Sequence, residues 1–425
     1  MKQQTFAIAS CLLSLIGTLG LGMSTNAAPS SPAAPATAVN FYCRSVADAM
    51  NSATEPRMLA ETLTMRGVHL ADTPQGHLLY NYDLHRIGAF RQWAGEHAAG
   101  YSQIHVWTTF LPDKTLINGR NAVVTGDEIL HVDMTVRDEG QHSFSLEKQA
   151  AMDQMRRQGR LYEDGDTVPS STAITHKTAL TLVQNQWVIV RDDFADPQAP
   201  MLAPDHVSLS SEWQAADSTN SQVPEAAWGE TSLSGSATDM QRIVPPSILR
   251  PNTSSWVLDR RAASAYADRW CNEGANKGHG YNPSYRNWQP QNTDCANFVS
   301  QCLGDLSGGK IPFQTSWAFW NNWQPYSYNW VNANGLWHFM NNLNGNLSRE
   351  TVDYGTANDF QRRYMIQGDL MGYYSPIHHI AIVVALDSNG NCYIDSHTND
   401  RFHNLWDVWN GWSIQYSPLQ LRGRQ

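Results

Sequence analysis

Three kinds of hydrophobic pattern follow one another along the chain. Residues 6–23, "FAIASCLLSLIGTLGLGM", are predominantly apolar and uncharged. Further on, Val132, Met134 and Val136 alternate with Asp133 and Thr135, the period-two signature of a half-buried strand. "THKTALTLVQNQWVIVRDDF" repeats that pattern on both sides of Gln184–Asn185 and predicts two strands around a turn. Residues 43–65 and 145–160 read as helical. Nearer the C-terminus, "DRRAASAYADRWC" puts Ala263, Tyr266, Ala267 and Trp270 on one helical stripe. "DCANFVSQCL" does the same with Cys295, Phe298, Val299, Cys302 and Leu303, and Thr293 and Asp294 before it are good N-cap residues. "HHIAIVVAL" and "CYIDSHT", separated by Asn389–Gly390, predict a hairpin.

These patterns divide the chain. Lys2, the apolar run and the small residues of Thr25–Ala28 have the form of a cleaved export signal over residues 1–28. A single membrane anchor is the competing reading, but the flanks favour cleavage, and no later segment is apolar enough to span a bilayer. The expectation is therefore a secreted or periplasmic protein without stable membrane insertion. "PSSPAAPATAV" (residues 29–39) reads as a leader with no core-forming residues, and residues 40–198 as a first α+β domain. The Ser/Thr/Ala-rich residues 199–255 read as a linker, and residues 256–425 as a second, tryptophan-dense domain.

With 425 residues, two domains are the natural expectation. A hydrophobic content of 41% belongs to a folded protein. The net charge of −10 argues against nucleic-acid partners, which are bound by dense Lys and Arg, and supplies no polybasic membrane patch. Six cysteines become five once Cys11 leaves with the signal. In an oxidising compartment an odd count leaves at least one thiol over, while the other four could form two bridges.

Cys295 is the thiol with a chemical setting. It opens a helix, where unpaired backbone N–H groups and the helix dipole favour a thiolate. The competing reading makes it the first residue of an apolar stripe, or half of a disulfide. A base is available in His379 at the start of the "HIAIVVAL" strand, on a face with Ala381, Val383 and Ala385 small enough for a helix to lie against. His378 points to the other face.

Cysteine at a helix start, histidine at a strand start and a polar residue on the next strand follow the chain order of papain-like enzymes. "DCANFVSQ", Gly368-Asp369-Leu370, "HHIAIV" and "SHTND" together resemble the amidase domain of secreted bacterial proteins, within the papain-like cysteine peptidase and amidase class. The resemblance spans roughly residues 256–415. It implies an α+β catalytic domain in which a helix carrying the nucleophile Cys295 packs on an antiparallel sheet, with His379 as base. It also points to the "HT" pair at His397 and Thr398 for the orienting group. His397, with Asp395 as substitute, is the expected orienting residue if an odd-length turn or a bulge brings the return strand to the His379 face. A symmetric turn would leave Asn399 and Asp400 instead. The backbone N–H of Cys295 and the Gln289 side chain are the expected oxyanion donors, with Gln291 and Asn292 as alternatives to Gln289. Trp288, Trp317 and Asn297 are the candidate substrate contacts. The first domain, with helices ahead of a closing "WVIVRDDF" strand, resembles a nuclear transport factor 2-like cone. Its His105, His131 and His176 read as exposed or hydrogen-bonded strand residues rather than catalysts.

The function expected is an exported cysteine amide hydrolase acting on a peptide or other amide, with cell-wall peptide suggested by the compartment. No cofactor or metal is implied, and the oligomeric state is open. A metal hydrolase could draw on His378, His379, His397, His403, Asp369 and Asp395, but there is no HExxH, no closely spaced Cys/His pair, and His378 and His379 face apart on a strand. The stronger rival is a non-catalytic glycan or peptide binder lined by "SWAFWNNWQPYSYNWVNANGLWHF".

Overall fold

The computed structural model describes residues 34–51, 58–140, 142–194, 256–271, 280–288, 294–314, 316–319, 326–343, 352–398, 400–407 and 415–421. The signal, the linker and Gln289 lie outside the described residues.

Helix α1 spans Pro35–Asn51, so it begins inside the stretch the composition assigned to a leader. Pro is well tolerated in a first helical turn, and Val39, Tyr42, Cys43 and Val46 then recur on one buried stripe. Helices α2 (Met58–Met65) and α3 (Pro74–His97) follow. Two long strands come next, β2 (Tyr101–Asn118) and β3 (Asn121–Val136), then α4 (Leu146–Arg157), and finally the pair β5 (Thr167–Val183) and β6 (Gln186–Phe194). The β5–β6 turn falls at Gln184–Asn185 as expected, both residues having positive φ (48° and 67°). Two short strands, β1 (His69–Leu70) and β4 (Leu161–Tyr162), complete this region.

The C-terminal region contains α5 (Arg260–Trp270), α6 (Cys295–Gly304), α7 (Tyr328–Val331), α8 (Ala333–Leu343) and α9 (Tyr354–Tyr364). Its strands are β7 (Leu370–Tyr373), β8 (His379–Asp387), β9 (Cys392–Ser396), β10 (Arg401–Leu405) and β11 (Tyr416–Leu419). The whole is α+β, and one sheet runs through both regions in the order β1-β6-β5-β10-β9-β8-β7-β11. Strand β5 makes the join: β3 runs along one edge, while β6 and β10 share the other. At a second join, β4 pairs in parallel with the end of β8. Among the described residues no helix is long and apolar enough to cross a membrane.

Buried polar groups reinforce these joins. Lys148 of α4, fully buried, donates to the carbonyls of Gln361 and Gly390 at 2.6 Å each. Tyr101 bonds Asp387 and Tyr393, and Trp93 and His97 both reach Asp407. Such groups must be paired when water is excluded, so each pins one region to the other in a single geometry.

The inner layer of the N-terminal region holds a closed ionic network. His176 lies between Asp192 (2.8 Å) and Glu128 (3.3 Å), and Arg86 meets Glu128 at 3.2 Å. Burial opposes charge on His176, but Asp192 and Glu128 override it and raise its pKa to about 10. Burial likewise opposes ionisation of Glu128, yet Arg86 and His176 hold it at about 2. The histidine is therefore a paired structural cation, as the strand reading expected. Because its pKa is raised on folding, its contribution is complete below the unfolded value of about 6.5 and is lost as the pH rises through about 10. His176→Gln should cost about 3–5 kcal/mol in urea unfolding at pH 6 by leaving buried carboxylates uncompensated. That loss should shrink toward pH 10. A pH-independent loss would contradict the ionic assignment.

Candidate active site

Helix α6 is buried along its whole length, against β8 on one side and α5, α7 and α8 on the others. The polar side chains of "DCANFVSQ" account for that burial. Asp294 does not cap the helix in the usual way, since its side chain makes no capping bond to the first-turn amides. Its Oδ2 instead meets His397 Nδ1 at 2.6 Å, while Oδ1 accepts from Trp288 N and Asn297 Nδ2, both at 2.9 Å. The backbone N–H of Asp294 donates to Thr398 Oγ1 at 2.8 Å. Asn297 also donates to Arg286 O and accepts from Trp330 Nε1, each at 2.9 Å. Ser300 donates to Trp330 O at 2.9 Å and accepts from Trp317 Nε1 at 3.0 Å. Gln301 accepts from Tyr266 OH at 3.0 Å.

Cys295 is the exception. It is 6% exposed, and its thiol lies 4.0 Å from His378 O. Burial pushes the thiol up to about 11, although the backbone N–H groups of Ile380, Ala296 and Cys295 itself favour the thiolate. In this conformation Cys295 is a neutral thiol, not the preformed thiolate the helix start suggested. All five described cysteines are buried and none is in a disulfide, so neither bridge that the count allowed is formed.

The thiol rests against the strand backbone on both sides of His379, but the His379 ring turns to the other face. Its Nε2 lies 3.2 Å from Arg401 NH1, and the ring leans on Tyr373 at 5.5 Å between centroids. No hydrogen bond joins Cys295 to His379 among the described residues. Burial, and then the Arg401 guanidinium, hold the imidazole well below its usual pKa. Because Arg401 donates to Nε2, the ring proton resides on Nδ1.

The expected orienting residues need correction. Two register changes occur in the β8–β9 hairpin. The turn shifts the pairing to Leu386 opposite Cys392, and a bulge between Val383 and Ala385 then sets Ile382 opposite Asp395. Each change alone would have brought Asp395 and His397 to the His379 face; together they cancel, and both residues face away from it. His397 binds Asp294 and Trp270 O (2.8 Å) and stacks on Phe298 at 3.9 Å. Burial disfavours its charged form, but Asp294 and the charge of Asp400 leave its pKa raised. Asp395 bonds the His403 backbone at 2.8 Å, and burial pushes its carboxyl up to about 8. Of the symmetric-turn alternatives, Asp400 accepts from Tyr281 OH at 3.2 Å, and Asn399 lies outside the described residues.

Two of the expected substrate contacts are also core. Trp317 and Asn297 are fully buried, each tied into α6 by the bonds above. Trp330 and Trp337 are equally buried, so none of the three offers an exposed ring for a sugar. Trp288 remains near the site, 9% exposed, with Arg286 stacked over it at 3.8 Å. Arg401 was not singled out from the sequence. Its place five residues beyond Ser396 across a tight turn gave no sign that it would reach His379.

Comparison with known proteins bears on this region directly. Residues 257–418 match the family described as "Putative amidase domain". The amidase-type match runs from α5 into β11 and contains every residue of the site, in agreement with the resemblance read from the "DCANFVSQ" and "HHIAIV" segments. A solved nuclear transport factor 2 (NTF2-like) superfamily protein from Salmonella enterica subsp. enterica serovar Typhimurium str. LT2 is 13% identical, with 38% of this chain and 86% of that chain covered and a TM-score of 0.19. Among curated proteins none matches.

Asp294→Ala should strand His397, the Trp288 amide and Asn297 at once. The expected loss is about 3–5 kcal/mol, read as a lower urea midpoint. A loss under about 1 kcal/mol would show that the clasp is not structural.

Proposed function

We propose that the chain is an exported cysteine amidase in which Cys295 is the nucleophile and His379 its base. The observation that carries this reading is the division of labour within α6: every other polar side chain from Asp294 to Gln301 is held in a structural hydrogen bond, and Cys295 alone is left for chemistry. The family match supports an amide hydrolase. A helix start bearing the cysteine, set against the strand that begins at His379, supports the papain-like version of that chemistry.

In this scheme the neutral imidazole leaves Arg401 and rotates around the strand edge to the thiol when substrate enters. It takes the thiol proton as sulfur attacks the amide carbonyl, and the tetrahedral oxyanion forms near the Cys295 N–H at the start of α6. Collapse breaks the C–N bond, and His379 delivers its proton to the leaving amine. Water, deprotonated by the same imidazole, then hydrolyses the thioester and restores the thiol. The low pKa of His379 suits the first step poorly until the ring parts from Arg401, so the resting enzyme is held inactive. Gln289 is the proposed second oxyanion donor and Trp288 the proposed substrate contact. An exported enzyme of this kind would meet cell-wall peptide, which we take as its substrate.

The test is amine release from purified cell-wall fragments and from a denatured protein, by wild type, Cys295→Ala and His379→Ala. Cys295→Ala should abolish release, and His379→Ala should lower kcat by about 100- to 10,000-fold, both with unchanged circular dichroism. No release from either substrate by wild type, or full activity in Cys295→Ala, would sink the proposal.

A further inference from the structure

On the sheet face that carries α5 and α6, away from the His379 ring, three side chains converge that the amidase chemistry does not use. Asp268 comes from α5, Asp395 from β9 and His403 from β10, and one donor atom from each lies within 4.8 Å of the others. His403 Nε2 stands 3.0 Å from Asp268 Oδ1. Asp395 is fully buried; its Oδ1 accepts the His403 backbone N–H, while its Oδ2 has no hydrogen-bond partner among the described residues. A buried carboxylate oxygen without a partner is costly unless a cation or donor meets it. The backbone is shaped around the cluster: β10 is irregular between Arg401 and Asn404, and His403 has φ 49°.

We infer that Asp268, Asp395 and His403 bind one divalent transition-metal ion of the zinc or manganese class. One imidazole nitrogen and two carboxylate oxygens are the donors such ions take, whereas calcium asks for about six to eight oxygens. Donors bound at about 2.0–2.2 Å to one ion lie roughly 3–3.5 Å apart, so the observed spacing needs little movement. Two carboxylates also balance the ion's charge. The other ring nitrogen is already oriented, because His403 Nδ1 lies 2.9 Å from Tyr162 OH. With Nε2 on the metal, Nδ1–H donates to the Tyr162 oxygen, the outer contact that fixes a ligating histidine. The Asp268 and His403 side chains are 32% and 13% exposed, which leaves the ion a way in.

The ion would join α5, β9 and β10, with β4 of the N-terminal region as its outer support. Its role is structural, since neither Cys295 nor His379 belongs to the cluster. The experiment uses the full chain stripped with EDTA, in a Cys295→Ala background so that metal on that thiol cannot mimic the site. Zn2+ and Mn2+ are titrated by calorimetry and by thermal melting. One ion per chain and a Tm rise of about 3 °C at saturation are expected. Asp395→Asn keeps the oxygen that accepts the His403 N–H, so its metal-free Tm should match, while its affinity should fall at least about 100-fold; Tyr162→Phe should weaken binding about 10- to 100-fold. Absence of binding by either metal would overturn the site, as would affinity unchanged in both Asp395→Asn and His403→Asn.

Discussion

One buried carboxylate, Asp294, determines where the candidate nucleophile stands. It is fully buried, yet it has three partners: His397 on the turn after β9, the Trp288 amide before α6, and Asn297 one turn into α6. Its own N–H is held by Thr398. The start of α6 is thereby fastened to the end of β9, and Cys295, the next residue, is pressed against the β8 backbone. A charge without water is tolerable only when its oxygens are well satisfied, so this arrangement has little freedom to slip. The Asp and His of the two sequence segments that resemble an amidase thus meet each other directly, as a clasp.

The same constraint extends outward. Asn297 and Ser300 bind the indoles of Trp330 and Trp317, so these two rings close over α6 rather than opening to solvent. At the other end of the hairpin the N-terminal region supplies Tyr101 and Lys148 to the β8–β9 turn. The hairpin that presents His379 is therefore braced at both ends. A base that begins on the wrong face in so rigid a setting must move as a side chain, not as a strand.

Much of this was legible in the sequence. Period-two and helical stripes placed β5, β6, α5, α6 and the β8–β9 hairpin, and Asn389–Gly390 marked the turn, where Gly390 has φ 81°. The amidase resemblance rested on the "DCANFVSQ" and "HHIAIV" segments, which lie within the matched residues 257–418. The start of α1 was hidden because Pro35, Ala36, Thr37 and Ala38 have the composition of a leader, although Pro35 is buried on the same stripe as Val39. The His379 face was hidden for a different reason: facing depends on the parity of two separate one-residue shifts, and no composition rule counts them. Burial of Trp317 and Asn297 could not be told from a ligand platform, since an indole N–H or an amide looks the same in sequence whether its partner is Ser300, Trp330 or a sugar.

The account rests on His379 reaching Cys295 from its resting place beside Arg401. The direct measurement is the rate of iodoacetamide alkylation at Cys295 against pH, in wild type and His379→Ala, with each cysteine followed by peptide mass spectrometry. The account predicts that Cys295 alone labels in the native fold, and that at pH 7 wild type labels at least about tenfold faster than the variant, because the imidazole can still accept the thiol proton. Identical rates in the two proteins across the whole pH range would contradict it.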